Sequence, residues 1–360
     1  MQLPPTLLLL ALPACSPAGG HGDSTDTGDR EPTHVPGPDC TEEPWPLVHP
    51  WNVLADHLMA GVLDEGMEAD IQTLVDVIGS GALPGPWQHA VHGPWQSLDG
   101  VAWDGQDGTV LDHASVPDLV IDEDGLSWLF FNDTNPEALL EAARSGLPQS
   151  TGIPTGGIFA ARSENGRDFE RVGIEMHGQR PLLMVDPDIR RLPDGRYRLF
   201  FVGVLPENVC ADVLDPDRAP VPHEVWTAVS DDLVAWDGEG VAFSSPRGGR
   251  DPATWCRDET CWLTLRSTAI STDGGATFTE TEITLPVDDP QVPDVAPVPG
   301  GWWMIWRTRD DVLLRTASSS DGSHFTPDGQ TQIAGDSPAV WEQDGGAVLY
   351  VSRDAAGAAR

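Results

Sequence analysis

The chain has 360 residues and a formal charge of −37, from 57 acidic and 20 basic side chains. All 20 basic residues are Arg, so Schiff-base and P-loop lysines are both excluded. Negative charge on this scale disfavours nucleic acid and anionic membrane surfaces as partners and suits an extracellular or saline setting.

In chain order, Leu7–Leu12 is a short apolar run, and Leu12-Pro13-Ala14-Cys15 resembles the lipobox of bacterial lipoproteins, whose Cys carries the lipid. The resemblance implies export, residues 1–15 as signal peptide, and anchoring to the cell envelope through Cys15. Residues 16–40 are rich in Gly, Ser, Thr, Asp and Pro and are expected to form a disordered tether. No other stretch is long enough to cross a bilayer, so membrane contact is expected only through the lipid. With Cys15 lipidated, four cysteines remain and allow three pairings. Cys256 and Cys261 flank a hairpin turn and suit a cross-strand disulfide, which leaves Cys40 with Cys210. No Cys/His spacing suggests zinc, and no cofactor is expected.

Residues 41–86 form a short segment of their own. Leu54, Leu58 and Val62, then Ile71, Leu74, Val75 and Ile78, recur at helical spacing, which predicts two short helices ended by Gly79 and Gly81.

From Trp87 onward the sequence repeats. Val185–Gly203 reads as a hairpin: a strand, the turn Pro193-Asp194-Gly195, and an apolar second strand from Tyr197. Val116–Asn132, Arg250–Arg266, Val292–Arg307 and Asp336–Arg353 follow the same plan. Between them recurs a Ser-x-Asp-Gly-x-x-Trp/Phe motif, at Ser97–Trp103, Ser163–Phe169, Ser230–Trp236, Ser271–Phe278 and Ser319–Phe325. The two motifs alternate five times, and two hairpins per repeat make a four-stranded sheet. Radial repetition predicts an all-β chain: a five-bladed β-propeller over residues 87–360. The repeat starts on a second hairpin and ends on a first one. The two ends therefore complete one blade, a two-plus-two closure that leaves no free edge. Longer insertions fall at Thr134–Gly157 and Leu205–Glu224 and are expected to wall one face.

The inner strand of each blade is expected to begin at one mouth of the channel. Asp118, Asp188, Asp251, Asp294 and Asp336 are read as occupying that position in the five repeats. Converging carboxylates repel, which raises at least one pKa and separates an acid from a base. The adjacent strands return to the same mouth with Asn132, Asp133, Arg266, Arg307 and Arg353, and Arg250 lies beside Asp251. These are the candidate ligand-binding groups. Trp255, Trp302, Trp303 and Trp341 are candidates for sugar stacking or for packing between blades. A purely structural use of the repeated Asp, capping backbone N–H groups at the channel, fits the same pattern.

This arrangement resembles the five-bladed propeller glycoside hydrolases, the arabinanase and β-xylosidase group with the invertase and levansucrase group. The resemblance covers about residues 87–360 and rests on blade count and repeat. It implies a glycosidase acting on an oligo- or polysaccharide, with Asp118 as base or nucleophile and Asp251, in Arg250-Asp251-Pro252, orienting substrate. Asp294 stands at the fourth-blade place, where that family carries Glu; Glu224 and Glu342 are the alternative acids. Asp188, Arg250, Arg266, Arg307, Asp336, Arg353 and Asn132 are the implied substrate-binding residues. The Ser-x-Asp-Gly motifs resemble the Asp-boxes of sialidases, where they serve as turns. Sialidase chemistry would need a tyrosine nucleophile, and Tyr197 and Tyr350 both lie in apolar strands. A non-catalytic surface propeller binding glycan or protein is the alternative function. Calcium in the acidic mouth is a further possibility. The expected state is a monomer.

Overall fold

The second strands of the repeats, such as Trp128–Phe131 and Leu199–Val202, are apolar on both faces, and that composition is stable only when neighbours cover both sides. The computed structural model describes Asp76 and residues 89–354, apart from 106, 134–157, 180, 182, 205–222, 246, 250, 289, 309–310 and 344. The signal peptide, tether, Cys40–Cys210 pair, both insertions up to residue 222, Arg250, and the 41–86 segment except Asp76 lie outside the described residues.

Strands β1 (His89–Ser97), β2 (Asp104–Gly105) and β3 (Thr109–Leu111) come first. Blade 1 follows as β4 (Ala114–Ile121), β5 (Ser127–Asp133), β6 (Ile158–Ser163) and β7 (Glu170–Val172). Blade 2 comprises β8 (Glu175–Gln179), β9 (Leu183–Arg191), β10 (Tyr197–Val204), β11 (His223–Ser230) and β12 (Ala235–Ser245), with β8 added in parallel to the outer edge of β12. Blade 3 is β13 (Ala253–Arg257), β14 (Thr260–Thr264), β15 (Thr268–Ser271) and β16 (Thr279–Glu280). Blade 4 is β17 (Gln291–Val298), β18 (Gly301–Thr308), β19 (Asp311–Ser319) and β20 (Thr326–Ala334). Strands β21 (Asp336–Gln343) and β22 (Gly346–Asp354) then pair with β1 and β2 in the order β2-β1-β22-β21, with His89 opposite Asp354 and Ser97 opposite Ala347. The protein is a five-bladed β-propeller with the two-plus-two closure expected from the repeat order. Cys256 and Cys261 face each other across β13 and β14 and form a disulfide.

The core is divided among the blade interfaces. Phe130 and Ile158 of blade 1 meet Ile189, Phe201 and Trp236 of blade 2; Phe200 and Phe243 of blade 2 meet Leu263 of blade 3. Trp255 and Trp262 meet Trp302 and Met304, Ile305 meets Leu349, and Tyr350 meets Phe131, which closes the circle.

The Ser-x-Asp-Gly motifs build one turn in all five blades. Ser97 Oγ accepts the Gly100 N–H at 2.9 Å, and Asp99 Oδ1 accepts those of Val101 and Ala102 at 2.9 and 2.8 Å. Asp232 and Asp321 repeat these bonds, Asp273 does so one residue later, and Asn165 takes the role in blade 1. Local side-chain-to-backbone bonds therefore satisfy each turn. The aromatic that follows is wedged edge-on against the preceding blade: Phe169 on Tyr350, Trp236 on Phe130, Phe278 on Phe200 and Phe325 on Trp255, at centroid separations of 5.5–5.8 Å. The turn glycines press on the same neighbour. At Gly166, with φ +68°, an added Cβ would stand 2.8 Å from the Tyr350 hydroxyl, which itself donates to the Gly166 carbonyl at 2.7 Å. Blade 2 places Leu233 at this point, with φ 66°.

Gly166→Ala is therefore expected to cost about 2–3 kcal/mol, the left-handed backbone penalty plus the disturbed buried hydrogen bond. Gly125→Ala, with φ +82° and nothing within 4 Å, should cost only the backbone part, about 1 kcal/mol. Urea denaturation of the two variants measures the difference, and equal losses would show that the interblade contact contributes nothing.

Candidate functional site

Each inner strand enters the channel through the same four positions: a residue at positive φ, a proline, a small or acidic residue, and a residue that is apolar in four blades and Thr254 in blade 3. The first positions are Val116, Asp186, Asp251, Val292 and Ser337, with φ of 48°, 55°, 54°, 45° and 40°. Pairing with the neighbouring strand skips here, between Ser115 and Asp118, Gln291 and Asp294, and Asp336 and Pro338. The X-Pro dipeptide is thus a bulge, where proline's missing N–H costs no ladder bond. Left-handed backbone at β-branched Val116 and Val292 is strained and persists because the ring around it fixes it.

Alignment on the prolines corrects the expected equivalence of five aspartates. Asp118, Asp188 and Asp294 share one position, after the proline, and Ala253 and Ala339 occupy it in blades 3 and 5. Asp251 precedes its proline and Asp336 lies two residues before its own. The sequence reading aligned on acidity and missed Asp186, the blade 2 counterpart of Asp251. The recurring X-Pro was the signal that would have found it.

The three aligned carboxylates are buried, each 4% exposed or less. Asp118 Oδ2 accepts the Ile189 N–H of blade 2 at 2.5 Å, Asp188 Oδ2 that of Thr254 in blade 3 at 2.6 Å, and Asp294 Oδ2 that of Val340 in blade 5 at 2.6 Å. The remaining two such N–H groups follow blades that carry alanine, and their own aspartates cap them. Asp118 Oδ1 accepts from Leu119 at 2.8 Å and Asp294 Oδ1 from Val295 at 2.7 Å. Three carboxylates thus cap five inner strands. Arg190 lies among them, Nη1 3.2 Å from Asp118, Nη2 2.5 Å from Asp188 and 2.8 Å from Asp294. Its Nε and Nη1 donate to the carbonyls of Thr254 and Ile189. Sequence reading overlooked Arg190, although a residue two along a strand from Asp188 shares its face.

Three carboxylates and one guanidinium leave an excess of buried negative charge. Burial and the charge of Asp294 hold Asp118 well above the usual carboxylate range, against the pull of Arg190. Burial pushes Asp188 up to about 6, with Arg190 opposing and Asp294 adding to the rise. Burial alone would lower Arg190, but the three carboxylates more than reverse this and keep it charged. Oxygens of the three aspartates come within 4.8 Å of one another, a spacing suited to a metal ion, but the guanidinium stands among them. Calcium there would have to displace it.

The mouth opens among the prolines. Val116, Asp251, Val292 and Ser337 line it together with Pro117, Pro187, Pro252, Pro293 and Pro338, Asp118, Asp188 and Asp294 line it as well, and the space remaining there is about 20 Å³. That holds a single water and no sugar ring, so a saccharide must sit outside this space. Asp251 is half-buried there. Its N–H donates to Asp186 Oδ2 at 3.3 Å, and Asn132 holds Asp186 through two 3.0 Å bonds. Glu224, half-buried at the mouth end of β11, accepts from Trp226 Nε1 at 3.1 Å.

The other sequence candidates are spread around this rim. Arg307 Nε donates to Asp336 Oδ1 at 2.8 Å. Arg266 is exposed, and Glu342 is exposed on β21. Arg353 is buried against Trp95 and bonded to Asp107 at 2.5 Å, so blade 5 holds it rather than a ligand. Trp255 and Trp302 are fully buried packing residues, and Trp303 and Trp341 are partly covered by interblade clusters.

No family model and no curated protein matches the chain. Solved structures do. A family 117 glycoside hydrolase, Zg3597 from Zobellia galactanivorans, is 15% identical with a TM-score of 0.49 over 68% of this chain and 85% of that one. A family 43 β-1,3-galactosidase is 12% identical with a TM-score of 0.45 over 67% and 90%. An N-acetylgalactosamine deacetylase from F. plautii is 15% identical with a TM-score of 0.46 over 73% and 86%.

Linkage gives the hub a definite pH signature. The folded Asp188 value, about 6, exceeds the unfolded value near 4, so its contribution is full below about pH 4 and is lost as pH rises through about 6. The box carboxylates Asp99, Asp232, Asp273 and Asp321 are held below their ordinary value, mainly by backbone N–H bonds at Asp99 and Asp321; at Asp232 burial is outweighed by backbone N–H bonds, and at Asp273 burial is outweighed by hydrogen bonds from the Ser271 and Thr277 hydroxyls and the Thr277 N–H. Their contribution is full above about pH 4 and is lost below it. The urea midpoint is expected to fall between pH 5 and pH 7.5. Arg190→Leu should lose about 3–5 kcal/mol at neutral pH, and less at pH 5 where carboxylates protonate. A variant as stable as the parent at pH 7.5 would refute this account of the hub.

Proposed function

We propose that this chain is an exported, lipid-anchored carbohydrate-active propeller that takes a saccharide at the mouth and hydrolyses a glycosidic bond there. One observation supports the reading. Asp251 is the strand-opening carboxylate directly before its proline at the mouth, half-buried and aligned by the Asp186 acceptor on its backbone. Asp251 acts as the base or nucleophile, and Glu224 on the adjoining blade supplies the acid. Paired carboxylates at ~5–5.5 Å retain configuration and at ~6.5–9.5 Å invert it. Asp118 and Asp294 serve the hub in this scheme, with Arg190 and the backbone as their partners.

A non-catalytic glycan-binding propeller is the second reading. It is favoured by the commitment of Asp118 and Asp294, which line the mouth, to backbone caps.

Hydrolysis of aryl glycosides and of plant, bacterial and fructan polysaccharides by the full chain separates the two, with Asp251→Asn alongside. The expected result is sugar release by the parent and at least a ~100-fold lower rate in the variant at an unchanged melting temperature. Turnover that survives Asp251→Asn rejects the assignment, and absence of turnover throughout selects the binding reading.

A further inference from the structure

In a chain with 57 acidic residues, an arginine without a carboxylate is an exception. Eight of the described arginines face an Asp or Glu. Arg162 and Arg257 lie over indole rings. Arg167, Arg247 and Arg266 do neither among the described residues, and the last two belong to one rim, that of blade 3.

That rim is built so that the two turns lie against each other. Ser245 O accepts the Gly248 N–H at 3.1 Å and Ser245 Oγ donates to Gly248 O at 2.7 Å, which forms a tight turn with Arg247 inside it. Ser245 Oγ also reaches Ser267 Oγ at 3.4 Å. A Cβ added to Gly249 would stand 2.9 Å from the Arg266 backbone nitrogen, so only glycine permits this approach. His223 Nδ1 holds the Gly249 carbonyl at 2.5 Å. Both arginine side chains are exposed, and Asp251 follows two residues after Gly249.

We propose that Arg247 and Arg266 form an anion subsite at the mouth, and that the saccharide bound there carries a carboxylate or sulfate substituent. The inference rests on the saccharide-binding reading of the mouth. A guanidinium fork matches either oxyanion by paired N–H donors, and neither arginine has to abandon a protein carboxylate to bind one. The field of a chain with charge −37 repels a long polyanion, so a short saccharide with one charged group suits the site better than a polyuronate.

Titration calorimetry on the full chain tests this with four probes: xylobiose bearing one glucuronate, its methyl ester, galactobiose bearing one sulfate, and galactobiose itself. At least one charged probe is expected to bind tenfold or more tightly than its neutral counterpart, and the better of the two identifies carboxylate or sulfate as the source. The double variant Arg247→Gln/Arg266→Gln should bring that probe down to its neutral counterpart while leaving the neutral affinity unchanged. Equal binding of charged and neutral probes overturns the anion subsite and leaves the saccharide mouth standing. A charge preference that survives in the double variant overturns the assignment to these arginines. No binding by any probe overturns both.

Discussion

The propeller depends on how five backbone N–H groups at the channel are satisfied. Radial symmetry points each group toward the neighbouring blade, where no strand can accept it. Unpaired, each would cost about 1–3 kcal/mol in a buried setting. Three aspartates provide the five acceptors by letting Asp118 and Asp294 bridge two N–H groups each. A full ring of five carboxylates would double the buried charge problem, and alanine at 253 and 339 avoids it. Arg190 makes the remaining charge tolerable. Blade 2, which supplies it, is consequently the blade that the others are built around.

This solution commits the carboxylates that follow the prolines to structure. Asp118, Asp188 and Asp294 bond to the backbone and face a guanidinium even where they line the mouth. Asp251, Val116, Val292 and Ser337 line the same space. The strain at the five left-handed residues before the prolines is the cost of turning the chain into the channel. Because all five blades share it, the left-handed backbone at Asp251 is a property of the ring before it is one of any site.

Much of the fold could be read from the sequence because it repeats. Blade count, the strand-swapped closure and the box turns all follow from motifs spaced along the chain, and so does the Cys256–Cys261 pair across a hairpin. The site was harder to read for a specific reason. Acidic residues fall at three different positions around one proline, directly before it at Asp251, directly after it at Asp118, and two before it at Asp336, and only the proline fixes the register. A one-residue shift in a strand moves a side chain to the opposite face. Arg190 was missed because it looked like one more charged residue in a strand, whereas its meaning depends on Asp118 and Asp294 from blades distant in sequence. No local pattern carries that.

The closure of blade 5 also governs when the protein can exist. Strand β1 has its partner in β22, more than 250 residues later in the chain. During synthesis, β1 and the hydrophobic face of β4 that packs near it therefore wait for almost all of the domain to emerge. Contacts of such sequence separation form slowly and leave strand edges exposed meanwhile. The ring is an all-or-none object in time as well as in space. Anything that binds the open chain has the whole interval before β22 emerges in which to act.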